Sequence, residues 1–137
     1  MKAGTWRTWD RARCFVRERF RRLEVWQKSH RLSLAVYRAT TSFPNEEKFG
    51  LTSQVRRCCV SIEANIAEGC GRSGDLDLRR FLYIALGSAS ELDCELLLAR
   101  DLGFLARDAY EKLFIELRSI KAMLSTLIRK IGADNPQ

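Results

Sequence analysis

Residues 78–99, "LRRFLYIALGSASELDCELLLA", decide how the rest of the chain is read. Leu78, Leu82, Ala85, Ala89, Leu92, Leu96 and Ala99 alternate steps of four and three, which puts them on one stripe of an α-helix. A repeat near 3.5 residues favours a neighbouring helix packed almost antiparallel, crossing at about 20°. Ala85, Gly87 and Ala89 would let that neighbour approach closely. Past Gly103, over a helix expected at about 106–131, Leu113, Leu117, Ile120, Leu124, Leu127 and Ile131 repeat the same steps.

Toward the N-terminus two more helices follow from the same reasoning. One runs from about Thr52, a good N-cap, to the glycines at 69, 71 and 74, which can take the left-handed conformation that ends helices. Its apolar seam is Val55, Cys59, Ile62 and Ile66, and Asp75 is placed to cap the helix after it. The other spans about 23–41 and stops before Pro44, because proline disfavours helical geometry in the residue ahead of it. Short links make successive helices neighbours. The expectation is an all-α protein, an antiparallel up-down-up-down four-helix bundle over 23–131, with an Arg-rich arm at 1–22 and a disordered tail at 132–137. The chain has 137 residues, 46% apolar and 30% charged, which suits one soluble domain. No apolar run approaches the roughly 20 residues that cross a bilayer, and the N-terminus lacks a signal-peptide pattern. Five cysteines without a C-x-x-C pair fit reduced, mostly buried thiols and a cytoplasmic location.

A second seam flanks the apolar one on the helix from Thr52. Gln54, Cys58, Ser61, Asn65 and Glu68 step by four, three, four and three, about 100° around from the first seam. Such residues belong at the edge of the core. Ile84, Ser88, Glu91 and Glu95 offer a matching row on the next helix. Because an unsatisfied buried polar group costs about 1–3 kcal/mol, a network is expected to join Ser61, Asn65 and Gln54 to Ser88 and Glu91. Arg57 or Arg72 would neutralise the carboxylate.

Catalytic patterns fail on spacing. Gly69, Gly71 and Gly74 match G-x-G-x-x-G, yet that motif needs a strand before it, and here a helix precedes it. A di-iron bundle needs paired Glu-x-x-His motifs, and His30 is the single histidine. Cys58 and Cys59 are adjacent and point about 100° apart, which suits neither a disulfide nor a zinc site built from that pair. Glu91 and Glu95 resemble paired carboxylates, but without a pocket or further ligands a network or surface role is expected. The sequence therefore predicts no enzyme activity, no metal and no cofactor.

The net charge of +7 is concentrated at one end. Residues 1–22 hold eight basic and two acidic groups, a balance of +6, and the other 115 residues hold 16 and 15, or +1. Two readings stay open for this arm. It can neutralise phosphates of RNA or DNA, with Trp6, Trp9, Phe15 and Phe20 stacking on bases, or it can be a solvated extension that the domain does not need. The candidate contacts are Arg17, Arg19, Arg21 and Arg22, with Arg56, Arg79 and Arg80 as weaker choices on the body.

The run "FPNEEKFGLTSQVRRCCVSIEANIAEGCGR", Phe43 to Arg72, followed by "FLYIALGSASELDCELLLARDLGFL", Phe81 to Leu105, closely resembles the proteins encoded in bacterial 23S rRNA intervening sequences. "LEVWQKSHRLSLAVY" fits the first helix of that family, and the resemblance covers about 23–131. It is carried by the Phe-Pro turn, the Gln-x-x-Arg step, the Asn-Ile-Ala-Glu-Gly block and the Gly-Ser-x-x-Glu step. More distantly, the sequence is similar to the accessory variability proteins of diversity-generating retroelements. The resemblance implies an antiparallel four-helix bundle that assembles as a homopentamer, without known enzymatic activity. For the retroelement relatives it implies binding of nucleic acid and of a reverse transcriptase through basic surface. By position it makes Gln54, Arg57, Ser61, Asn65, Glu68, Gly69, Arg72, Ser88 and Glu91 structural or subunit-interface groups. This sequence departs from the family in its longer Arg-rich arm, and from the retroelement relatives in its near-neutral body. The function expected is a nucleic-acid-associated homo-oligomer, and the alternative is a protein-interaction scaffold.

Overall fold

The computed structural model describes residues 20–134. Four α-helices carry them, α1 (Glu24–Thr40), α2 (Leu51–Gly71), α3 (Asp75–Asp101) and α4 (Arg107–Asp134), with short 3-10 turns at Phe20–Arg22 and Asn45–Glu47. No strand occurs among the described residues. Arg17, Arg19, the aromatic residues before Phe20 and residues 135–137 lie outside them.

Pairs of contacts give the helix directions. Ser33 of α1 reaches the Cys59 carbonyl of α2 while Thr40 meets Arg56, so the two helices are antiparallel. Ser61 of α2 meets Ser88 of α3, while Gly69 lies against Phe81. Lys121 of α4 pairs with Asp93 of α3, and Arg79 lies across Gly132. An ion pair between Lys28 and Glu116 joins α4 back to α1. The chain is an up-down-up-down bundle.

The expected seams form the core. All seven residues of the α3 stripe are buried, and Val55, Cys59, Ile62 and Ile66 are wholly inaccessible. Each large aliphatic side chain so placed contributes about 1.5–3 kcal/mol through burial. On α4 the row needs one correction, because Ile128 is buried where Leu127 was expected, and Leu127 is only partly covered. A straight helix drifts about 20° per heptad from a 3.5 repeat, so after Leu124 the next inward position falls four residues on.

The helix ends differ more from the sequence reading. Thr52 does not cap α2; it is buried inside the first turn, and Gly50 occupies the N-cap. Glu47 from the preceding 3-10 turn supplies the cap instead, its Oε1 accepting from the Leu51 N–H at 3.0 Å. A carboxylate suits that position because a helix N-terminus is partly positive. Gly74, not Asp75, precedes α3, and Asp75 opens the helix as a buried residue. Gly69, Gly71 and Gly74 do not adopt the left-handed conformation; among the described residues Gly103 does, at φ 81°, where α3 ends. Gly69 is needed for space, since a Cβ there would stand 2.9 Å from Phe81 Cβ and 3.0 Å from Leu78 Cδ1. Gly87 has no such role, as a Cβ there would meet nothing within 4 Å. Helix α4 continues to Asp134, three residues past its expected end. No helix among the described residues is long and apolar enough to cross a membrane.

Candidate functional site

The polar seam lies where α2 faces α3. Ser61 Oγ and Ser88 Oγ are 2.8 Å apart, and Asn65 Nδ2 donates to the Ser61 carbonyl at 2.8 Å and to Ser61 Oγ at 3.0 Å. Cys58 adds a contact the sequence did not suggest, its thiol donating to the Ser88 carbonyl at 3.0 Å. Ser61, Asn65 and Ser88 are half-buried, so the row sits at the edge of the core as its 100° offset requires. Gln54, Arg57 and Glu91 join Cys58, Ser61 and Ser88 as the walls of a notch of about 300 Å³. Arg72 is not part of this group. From just past the end of α2 it pairs with Glu68 at 2.9 Å and lies over the Phe81 ring at 5.0 Å.

The residue that sequence reasoning left out of the site is Glu95, one turn beyond Glu91. It is buried, at 8% exposure, and its Oε1 has no hydrogen-bond partner. Burial, reinforced by the Glu91 carboxylate, pushes the Glu95 carboxyl from its ordinary 4.5 up to about 7. The Cys58 thiol is pushed up to about 12 by burial and then by Glu95 and Glu91. The signal was available, because Ser88, Glu91 and Glu95 share one face of α3 at steps of three and four. It is masked because Cys58 and Cys59 are neighbours on α2, whereas the partners of Cys58 are on α3.

The body arginines proposed as phosphate contacts are mostly engaged within the bundle. Arg56 Nε donates to Thr40 Oγ1 at 2.8 Å, Nη2 donates to the Tyr37 carbonyl, and the guanidinium covers the Tyr37 ring at 4.7 Å. Arg79 is half-buried across Gly132 and over Tyr83. Arg80 is exposed, held by Asp77 at 3.2 Å and by the Phe81 ring. Arg21 and Arg22 are exposed at the foot of α1, where Phe20 packs edge-on against Trp26 at 5.0 Å and Gln27 donates to the Arg21 carbonyl.

The 23S rRNA-intervening sequence protein family matches residues 21–126, from the 3-10 turn through most of α4. The chain belongs to that family. The chain is also similar to a crystal structure, at 1.70 Å resolution, of a protein of unknown function from the S23 ribosomal protein family of Bacteroides thetaiotaomicron VPI-5482. The two share 26% identity with a TM-score of 0.69, over 76% of this chain and 97% of the other. No curated protein sequence matches the chain. The family match takes in the whole α2–α3 seam, while residues 1–20 precede it.

Proposed function

We propose that this protein is a non-enzymatic, cytoplasmic homo-oligomer, a pentamer as the resemblance to its family implies, that associates with RNA or DNA through phosphate contacts from its N-terminal arm. The observation that carries this reading is the placement of charge. Of a net +7, the first 22 residues hold +6. Arg56 and Arg79 on the body are committed to contacts inside the bundle. The names of the family and of the structural neighbour refer to 23S rRNA and to a ribosomal protein family, which makes RNA the first nucleic acid to test. Self-association is supported by α3 and its C-cap, whose outer surface exposes Leu76, Tyr83, Ile84, Leu97, Leu98 and Leu102. That same surface favours a second reading, a scaffold that binds other proteins, a reverse transcriptase among them by analogy with the retroelement relatives.

The test is the salt dependence of binding to single-stranded RNA, compared with a variant in which Arg17, Arg19, Arg21 and Arg22 are all glutamine. Each phosphate neutralised on a single strand contributes about −0.7 to the slope of log K against log salt, so loss of four contacts reduces its magnitude by about 3. An unchanged slope would exclude the arm as the binding element, and absence of binding at low salt would favour the scaffold.

A further inference from the structure

Beside the notch between α2 and α3, whose walls include Cys58 and Glu91, lies a group of side chains that a structural seam does not require. Cys58 from α2 and Glu91 and Glu95 from α3 present one ligand atom each, all within 4.8 Å of one another. Two carboxylates side by side at the edge of a core repel each other unless a proton or a cation lies between them. Glu95 is more than nine-tenths buried, extends toward Cys58 and leaves Oε1 without a hydrogen-bond partner. Oε1 is thus a buried ligand atom left free, while the rest of the carboxyl hydrogen-bonds to Glu91 and Cys58.

We propose that Cys58, Glu91 and Glu95 form a binding site for a divalent transition metal of the zinc class, with its remaining coordination position open to the notch. The donor set argues for this class, since a thiolate selects against magnesium and calcium, and mixed S and O ligation suits zinc or cobalt. Bond lengths of about 2.0–2.3 Å put tetrahedral ligands about 3.3–3.6 Å apart, so the three groups must draw in by roughly 1 Å. Glu91 is exposed and can supply that movement by a change of rotamer. Charge also fits. Three anionic ligands around a dication leave one negative charge, and Arg57 stands on the notch wall. On binding, the Cys58 S–H bond breaks, its proton passes to solvent, and the sulfur lone pair forms the metal bond. The thiol's hydrogen bond to the Ser88 carbonyl is exchanged for metal ligation. Metal binding therefore releases protons and strengthens as pH rises.

Cobalt(II) titration of the untagged full-length protein, after chelation and under reducing conditions, tests the site. The expected result is a saturable thiolate-to-cobalt charge-transfer absorption that zinc displaces. Cys58→Ser abolishes that absorption, Glu95→Gln weakens cobalt binding by at least about tenfold, and Cys94→Ser, which removes an exposed thiol, leaves both unchanged. Helical circular dichroism of each variant establishes that it is folded; if Cys58→Ser fails that check, Glu95→Gln and Glu91→Gln decide. No charge-transfer band in the folded parent, or a band that survives Cys58→Ser, overturns the proposal. So does cobalt affinity unaltered in both glutamate variants, which would leave the carboxylates as an acid pair sharing a proton.

Discussion

Gly69 and Gly87 both lie inside helices, and only the first is needed there. A methyl group at Gly69 strikes Phe81 Cβ at 2.9 Å, an atom fixed to the α3 backbone, so the helices must separate. Gly69→Ala should destabilise the bundle by about 1–3 kcal/mol. Gly87→Ala meets open space on the surface of the single chain and, measured on dissociated protein, should stabilise it by about 0.5–1 kcal/mol. Urea denaturation of the pair checks both signs. Glu95 gives a pH dependence at the same scale. In metal-free protein its carboxyl holds a proton up to about 7 in the fold, against an ordinary 4.5. The folded state thus binds more protons between those values, and this residue's contribution to stability falls as pH rises through that window. The groups facing it are Glu91 on α3 and Cys58 on α2, with Arg57 on the notch wall. Glu95→Gln, measured with chelator from pH 4.5 to 8, should flatten that decline and be more stable than the parent at pH 8. An equally steep decline in the variant would show that Glu95 does not cause it.

Among elements, the α2–α3 interface is the most fully determined by sequence. Its apolar stripes are legible because burial repeats every three or four residues, and its polar row because the same period recurs one step around the helix. Ser61 and Ser88 meet as that row implies. A double-mutant cycle of Ser61→Ala and Ser88→Ala should show a coupling of about 0.5–1.5 kcal/mol in unfolding free energy. Additivity of the two would mean the hydroxyls do not interact. Helix ends were less legible. Glu47 caps α2 from a 3-10 turn, a side-chain role no local pattern specified, and Thr52, the better cap by residue type, is inside the helix. From sequence Arg56 has the look of a surface cation, because nothing there reveals that Thr40 and Tyr37 lie beside it. Arg56→Ala removes both hydrogen bonds and the cover over Tyr37, and should cost about 1–3 kcal/mol, measured by urea denaturation. Glu91 and Glu95 were legible as a pair, but their link to Cys58 depends on the register between two helices. Helical period alone does not set that register.

For the whole molecule, charge and shape are divided between different parts of the chain. The bundle balances 16 basic against 15 acidic groups outside the first 22 residues, so it has little long-range field of its own. The arm holds the excess, and linking several arms on one assembly multiplies weak phosphate contacts through effective concentration. Assembly and nucleic-acid association therefore belong to one claim, and one measurement addresses both. Full-length protein purified from cells at low salt is passed over a size-exclusion column with light scattering and absorbance at 260 and 280 nm. The prediction is an assembly of about five chains of 15.8 kDa, carrying excess absorbance at 260 nm that is stripped by high salt while the protein mass stays the same. A monomer of 15.8 kDa with the absorbance ratio of protein alone would contradict it.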